Sequence, residues 1–301
     1  MSWLAAMLGV VNLDKPVGPT SHDMVDLVRR LTAMRRIGHA GTLDPLASGV
    51  LPILIGAATR FSDDLTGGPK RYEAVIRLGI RSVTDDAQGP LEPVGPPPDL
   101  ATVTAALASF VGTFEQRPPA FSARKTGGVI AHRAARAGNP VEAPPRTVTV
   151  ESIDMLGSEQ GDGWLDLRCD IRCGAGTYIR SIARDLGNRL GCGGHLHALR
   201  RTEAAGLLIA DAIAPVLLEE LAAAGRLGTA ILPVGSLLHL PELRLDADAA
   251  GRFVHGSAVQ VPGATGSGRH AVFGDGELLG VGMLHDGLLE PRTVIAANGA
   301  A

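Results

Sequence analysis

The run Gly38-His39-Ala40-Gly41-Thr42-Leu43-Asp44-Pro45-Leu46-Ala47-Ser48-Gly49 decides the reading of this chain. It places three glycines, one histidine and one acid in twelve positions, then enters the apolar segment Val50-Leu51-Pro52-Ile53-Leu54-Ile55. Glycine and proline at this density predict an irregular loop with tight turns. Asp44 is the only acid between Asp26 and Asp63, and Leu43 and Pro45 flank it. A lone Asp-Pro pair reads as an Asx-turn, the side chain capping its own loop. A loop that leads into a buried strand is also where scaffolds present reactive groups, and that makes Asp44 a candidate carboxylate.

The chain has 301 residues, 45% hydrophobic and 20% charged, enough for one large domain and a small one. The N-terminal residues carry no basic group ahead of their apolar run, which argues against a secretory signal. No uncharged apolar stretch is long enough to span a bilayer. Three cysteines cannot all pair, so a reducing cytoplasm is the expected compartment. The net charge of −3 is unevenly spread. Residues from 236 on hold 4 arginines against 7 acids, leaving 24 basic and 24 acidic residues before them. Arg168 to Arg201 contains seven arginines against Asp170 and Asp185, a patch that fits phosphates or a solvated helix face. Arg29, Arg30, Arg35 and Arg36 allow the same two readings. Only Lys15, Lys70 and Lys125 remain beside 25 arginines, as though a compact ammonium were needed there.

Periodicity supplies the elements. Gly9–Leu13 reads as a short buried strand, and Thr20 or Ser21 caps a helix whose apolar face is Met24, Val25, Leu27, Val28 and Leu31. Tyr72 to Arg81 alternates as a strand, with Ala74, Ile76, Leu78 and Ile80 on one face. Gly89 to Pro98 is a proline-rich surface loop. Trp164 to Cys173 alternates with Cys169 and Cys173 inward. Thr177 caps a helix with Ile179, Ile182, Ala183, Leu186 and Leu190 on one stripe and Arg180 and Arg184 on another face. Cys192, His195 and His197 with the two strand cysteines match none of the usual zinc spacings. Residues 212–224 read as helix. Asp275-Gly276 and Asp286-Gly287 then predict two hairpins joining strands near 270–274, 277–284 and 288–294.

The opening run resembles the signature loop Gly-His-x-Gly-Thr-Leu-Asp-Pro-x-Ala-x-Gly of the tRNA pseudouridine synthases of the TruB and dyskerin family. Further matches follow in order: Asp14-Lys15-Pro16-Val17-Gly18-Pro19-Thr20-Ser21, Lys70-Arg71-Tyr72, the segment Gln116 to Lys125, Thr177 to Gly187, and Gly193 to Arg201. Phe121 and His132 stand where the family often has tyrosine. The resemblance implies an α+β fold: a mixed, mainly antiparallel sheet with flanking helices over residues 1–235, including an RNA-gripping segment at about 116–146. A small all-β PUA-like RNA-binding domain would follow over 236–301.

It also implies a chemistry. Asp44 is the catalytic carboxylate, Arg180 its partner, and Tyr72 stacks on the base and is a candidate for removing the C5 proton. His39 fills the stack vacated by a flipped base, or else hydrogen-bonds a carbonyl. Leu199, Tyr178, Lys15, Lys70, Lys125 and Arg200 contact base or RNA. The implied reaction converts a uridine at position 55 of the tRNA T loop to pseudouridine. The expected protein is a monomer bound to the T-stem loop, without cofactor, metal or membrane. Asp44 attack at C1′, attack at C6 and removal of the C2′ proton all remain open. The rival is a non-catalytic RNA-binding or tRNA-folding protein on the same scaffold.

Overall fold

A computed structural model of the chain describes residues 8–121, 125–126, 129–130 and 143–295. Most of the expected RNA-gripping segment, and the Lys125 side chain, lie outside the described residues. Among those described, no helix is long and apolar enough to cross a membrane.

The architecture is α+β. A nine-stranded sheet runs in the order Gly9–Lys15, Ala47–Ile55, Gly194–Ala204, Lys70–Leu78, Trp164–Cys173, Arg146–Gly161, Gly112–Gln116, with two short strands at its side. All pairings along this path are antiparallel except one. Leu199, Arg200 and Arg201 lie parallel to Ala47, Ser48 and Gly49. That single parallel contact brings the end of one family stretch against the strand that leaves the Asp44 loop.

The strand Ala47–Ile55 explains the unbroken apolar run that follows the loop. Leu51, Ile53 and Ile55 enter a large core with Tyr72, Ile76, Leu167, Ile171 and the helix residues Ile182 and Leu186. Val50 and Leu54 point the other way, into a second core with Phe61, Val234, Leu237, Ala271 and Val281. A strand covered on both faces needs apolar residues at every position rather than alternate ones.

The helix Ser21–Thr32 begins with a capping box: Asp23 N–H donates to the Thr20 hydroxyl, and the Asp23 carboxylate accepts from Thr20 N–H. Thr20 is therefore the cap, and Ser21 is released for another task. At the second predicted helix the expectation fails. The helix Ile179–Arg189 has Tyr178 as its cap with no side-chain bond, and the Thr177 hydroxyl turns back to donate to Gly174 O. The apolar stripe Ile179, Ile182, Ala183 and Leu186 is buried as predicted, and Arg180 on the other face is buried too, against Asp44. The strand predicted over 72–81 ends at Leu78. Gly79 has φ +96, and a Cβ there would stand 2.1 Å from Gly163 O, so the chain kinks. Ile80–Ser82 then pairs with Leu91–Pro93 inside the proline-rich stretch. The strand Trp164–Cys173 matches its predicted bounds, and all three cysteines are buried and unpaired.

The last part forms a separate five-stranded sheet, Glu242–Leu245, Gly268–Gly274, Glu277–His285, Leu288–Val294 and Val259–Gln260 in order. Both hairpins form as predicted. Asp275 and Gly276, like Asp286 and Gly287, adopt positive φ in pairs, the geometry of a two-residue type I′ turn. This β unit is PUA-like. It shares the second core with the main sheet, and an Arg269–Asp64 ion pair of 2.5 Å ties it to the short helix Ser62–Thr66.

Gly49 is where the parallel contact is tightest. Its φ is +104, and an added Cβ would stand 2.1 Å from Arg201 O. Gly49→Ala is expected to lower the unfolding free energy by about 3 kcal/mol, through strain and loss of the close approach. Chemical denaturation of parent and variant measures it.

Candidate active site

Asp44 sits at the mouth of a cavity of about 360 Å³, a volume suited to a small ligand or a single nucleotide group. The cavity is lined from several parts of the chain. Gly41 to Asp44 come from the loop, Lys70 and Tyr72 from one strand, Thr177 to Arg180 from the start of a helix, and Leu199 and Arg201 from another strand. Thr66, Arg146 and Gly176 complete it. Asp44 is the only acid among these residues, and Lys70, Arg146, Arg180 and Arg201 are cations.

Arg180 Nη2 lies 2.9 Å from Asp44 Oδ2. The side chain of Arg180 is 4% exposed and that of Asp44 40%, so the cation is sealed while the carboxylate faces the cavity. The guanidinium is held from behind. Its Nη1 donates to Thr84 O at 3.2 Å and its Nη2 to Phe121 O at 3.0 Å. Asp86 Oδ2 stands 3.7 Å from Nη1, and Asp86 is itself fixed by the Thr84 hydroxyl at 2.6 Å. A planar fork bonded on several sides is oriented as well as charged, which an ammonium cannot reproduce.

Arg201 lines the cavity without being singled out by the sequence. Arg200-Arg201 was read as part of a basic patch, with Arg200 as the RNA contact. The strand splits them. Arg201 is 1% exposed, donating from Nε to Val50 O at 2.7 Å and from Nη2 to Gly41 O at 3.0 Å. It bonds the Asp44 loop to the strand that follows, and burial pulls its pKa below the usual arginine value. Arg200 turns the other way, to Asp14 at 2.8 Å and the Ser48 hydroxyl at 3.2 Å. Strand alternation from Leu199, which lines the cavity, carried the signal for Arg201.

Tyr72 is buried, and the Arg201 guanidinium lies within electrostatic reach of its hydroxyl. Burial raises the phenol pKa, so the hydroxyl stays neutral and its ring offers a stacking face. Tyr178 lines the cavity with the Arg146 guanidinium 5.2 Å from its ring centroid. His39 is half-buried on the short strand Ile37–His39 and does not line the cavity; burial lowers its pKa.

Two lysines expected at RNA turn inward. Lys15 is fully buried, with Nζ donating to Pro16 O at 2.8 Å and Pro19 O at 2.7 Å. Its ammonium closes a loop and has no exposed surface for a phosphate. Lys70 Nζ donates to Thr66 O at 2.8 Å and Gly68 O at 2.9 Å, at the cavity wall. Burial lowers both pKa values to about 8. Among the described residues no three His, Cys, Asp or Glu side chains are placed to share a metal ion.

One open carboxylate among four cations, beside an aromatic ring and a leucine, defines a site for a phosphate-bearing substrate with a planar group. The comparisons with known proteins agree. A profile described as the N-terminal domain of TruB family pseudouridylate synthases matches residues 29–179. The tRNA pseudouridylate synthase B C-terminal domain matches 180–239, and a C-terminal domain of pseudouridine synthase II TruB matches 241–295. A tRNA pseudouridine synthase B of Aromatoleum aromaticum is 42% identical, covering 97% of this chain and 94% of the relative. One of Ralstonia pickettii is 40% identical over 95% and 94%. A solved H/ACA ribonucleoprotein bound to a substrate RNA containing 2′-deoxyuridine superposes with a TM-score of 0.71 at 26% identity, covering 95% of this chain and 84% of that one. The chain belongs to the TruB family of pseudouridylate synthases. It is a pseudouridine synthase.

Two predictions follow from the geometry. Arg180→Lys loses the fork that joins Asp44 to two carbonyls, and turnover is expected to fall about 10²-fold or more in a steady-state assay. For Lys15, a folded pKa of about 8 lies below the unfolded value of 10.5. The unfolded chain thus binds more protons than the folded one between these values, and the lysine's contribution to stability rises with pH across that window. The stability difference between parent and Lys15→Met is expected to widen from pH 8 to 10.5 in denaturation series.

Proposed function

We propose that the chain converts uridine 55 in the T loop of tRNA to pseudouridine, with Asp44 as the catalytic carboxylate. The observation that carries this reading is the Asp44–Arg180 pair. One carboxylate, the only acid among the described residues that line the cavity, is held 2.9 Å from a sealed guanidinium and left open on its other side. The tRNA substrate is taken from the names of the relatives.

The isomerisation breaks the N1–C1′ bond, turns the uracil and joins C5 to C1′, then releases the C5 proton. It needs no redox step. Asp44 serves by attack at C1′ or C6, or by taking the C2′ proton. A stacked base cannot reach this cavity, so the uridine flips out. Tyr72 and Leu199 then bracket the base, and Arg146 brings positive charge to its phosphates. The high phenol pKa makes Tyr72 a better stacking platform than base for the C5 proton. His39, beside the loop, is the residue proposed to occupy the vacated stack. We assign residues 236–301 to a PUA-like unit that contacts the tRNA outside the T loop.

The test is the pseudouridine content of an unmodified tRNA transcript after incubation with purified protein. Product at one T-loop uridine is expected. Asp44→Asn should slow its formation at least about 10³-fold while tRNA affinity stays within a factor of about two. Turnover at the parent rate would remove Asp44 from the chemistry, and product at another uridine would move the target.

A further inference from the structure

We propose that Ser21 and Gln116 are positioning residues that set the Asp44–Arg180 pair in register, each by clasping the backbone next to one partner. The proposal rests on the reading of that pair as the catalytic centre.

Ser21 is 2% exposed at the first turn of its helix, with the capping role already taken by Thr20. Its hydroxyl donates to Leu43 O at 2.9 Å and accepts from Leu43 N–H at 2.8 Å. One side chain thus satisfies both backbone groups of the residue before Asp44. On the other side of Asp44, Gly18 N–H donates to Pro45 O at 2.8 Å. The loop carries three glycines within twelve residues and would wander without such ties. The helix Ser21–Thr32 is anchored in the main core through Met24, Val25 and Val28, so Ser21 transmits a rigid reference to the carboxylate.

Gln116 does the equivalent for the guanidinium. It is 1% exposed; its Nε2 donates to Tyr178 O at 3.1 Å, and its Oε1 accepts from Tyr178 N–H at 2.8 Å. Tyr178 is the cap of the helix that carries Arg180 and has no side-chain capping bond of its own. The next residue reinforces the tie, since Arg117 O accepts from the Ser181 hydroxyl and from Arg184 Nη2, both at 2.9 Å. Both clasps have the same form: a buried polar side chain, a donor and an acceptor used on one residue, and an ionic group one or two positions on. The backbone groups they satisfy are costly to leave unpaired. A misplacement near 1 Å at a reacting group costs about 10²-fold in rate.

The test is single-turnover pseudouridine formation with saturating full-length protein, in four proteins: parent, Ser21→Ala, Arg180→Lys and the double variant. Gln116→Leu is run in parallel with the same backgrounds. Each clasp variant is expected to slow the chemical step by about 10-fold to 10²-fold, with tRNA affinity unchanged. In the Arg180→Lys background, where the pair is already disturbed, the same substitution is expected to cost less than threefold or so, because the two changes act on one geometry. An equal factor in both backgrounds would overturn the proposal, since a general loss of integrity is independent of Arg180. A parent-like rate in folded Ser21→Ala, judged by its melting transition, would overturn it too. An Asp44→Asn protein that still turns over would instead refute the reading beneath it.

Discussion

The structure depends on one ion pair whose two members have unequal surroundings. Arg180 is withdrawn from solvent while Asp44 looks into the cavity. Taking a guanidinium out of water is expensive unless hydrogen bonds and opposite charge surround it. Here two carbonyls and two carboxylates do so. The cation is then locked in place, and the carboxylate beside it is held facing the cavity. Orientation comes from the planar fork, and the arrangement is set before any substrate arrives.

Preorganisation of this kind needs a rigid loop, and the Asp44 loop is rigid for reasons that lie outside it. The strand it leads into is sandwiched between two cores. The one parallel pairing along the main sheet fixes Leu199 to Arg201 against that strand, and Arg201 reaches back to Gly41. The β unit at the end of the chain supplies part of the second core, so it supports the catalytic strand as well as extending the surface. Two of the three lysines, Lys15 and Lys70, act as internal staples, each setting an ammonium on two backbone carbonyls. In both, the ammonium closes a loop.

Much of the fold was legible locally. The alternation of Trp164–Cys173, the capping box at Thr20 and the Asp-Gly turns each state their geometry within a few residues. The kink at Gly79 was not legible, because it answers to the carbonyl of Gly163 on another strand. Nor was the turned-back hydroxyl of Thr177, which donates to Gly174 O while Gln116, from a distant strand, holds the backbone of the next residue. A polar side chain near a helix start reads as a cap unless something distant takes the position first.

The sequence by itself determined the family, the pairing of Asp44 with Arg180, and those strands, helices and hairpins whose periodicity or turn residues are local. Those are carried by residue types at short spacing, where backbone preference and side-chain periodicity act directly. Tertiary structure decided which of two adjacent arginines faces the cavity, that Lys15 is enclosed, and that Ser21 and Gln116 hold the two ends of the ion pair. Such assignments depend on which strands become neighbours and in what register. A polar group's partner is then set by proximity in space, about which its sequence neighbours carry no information.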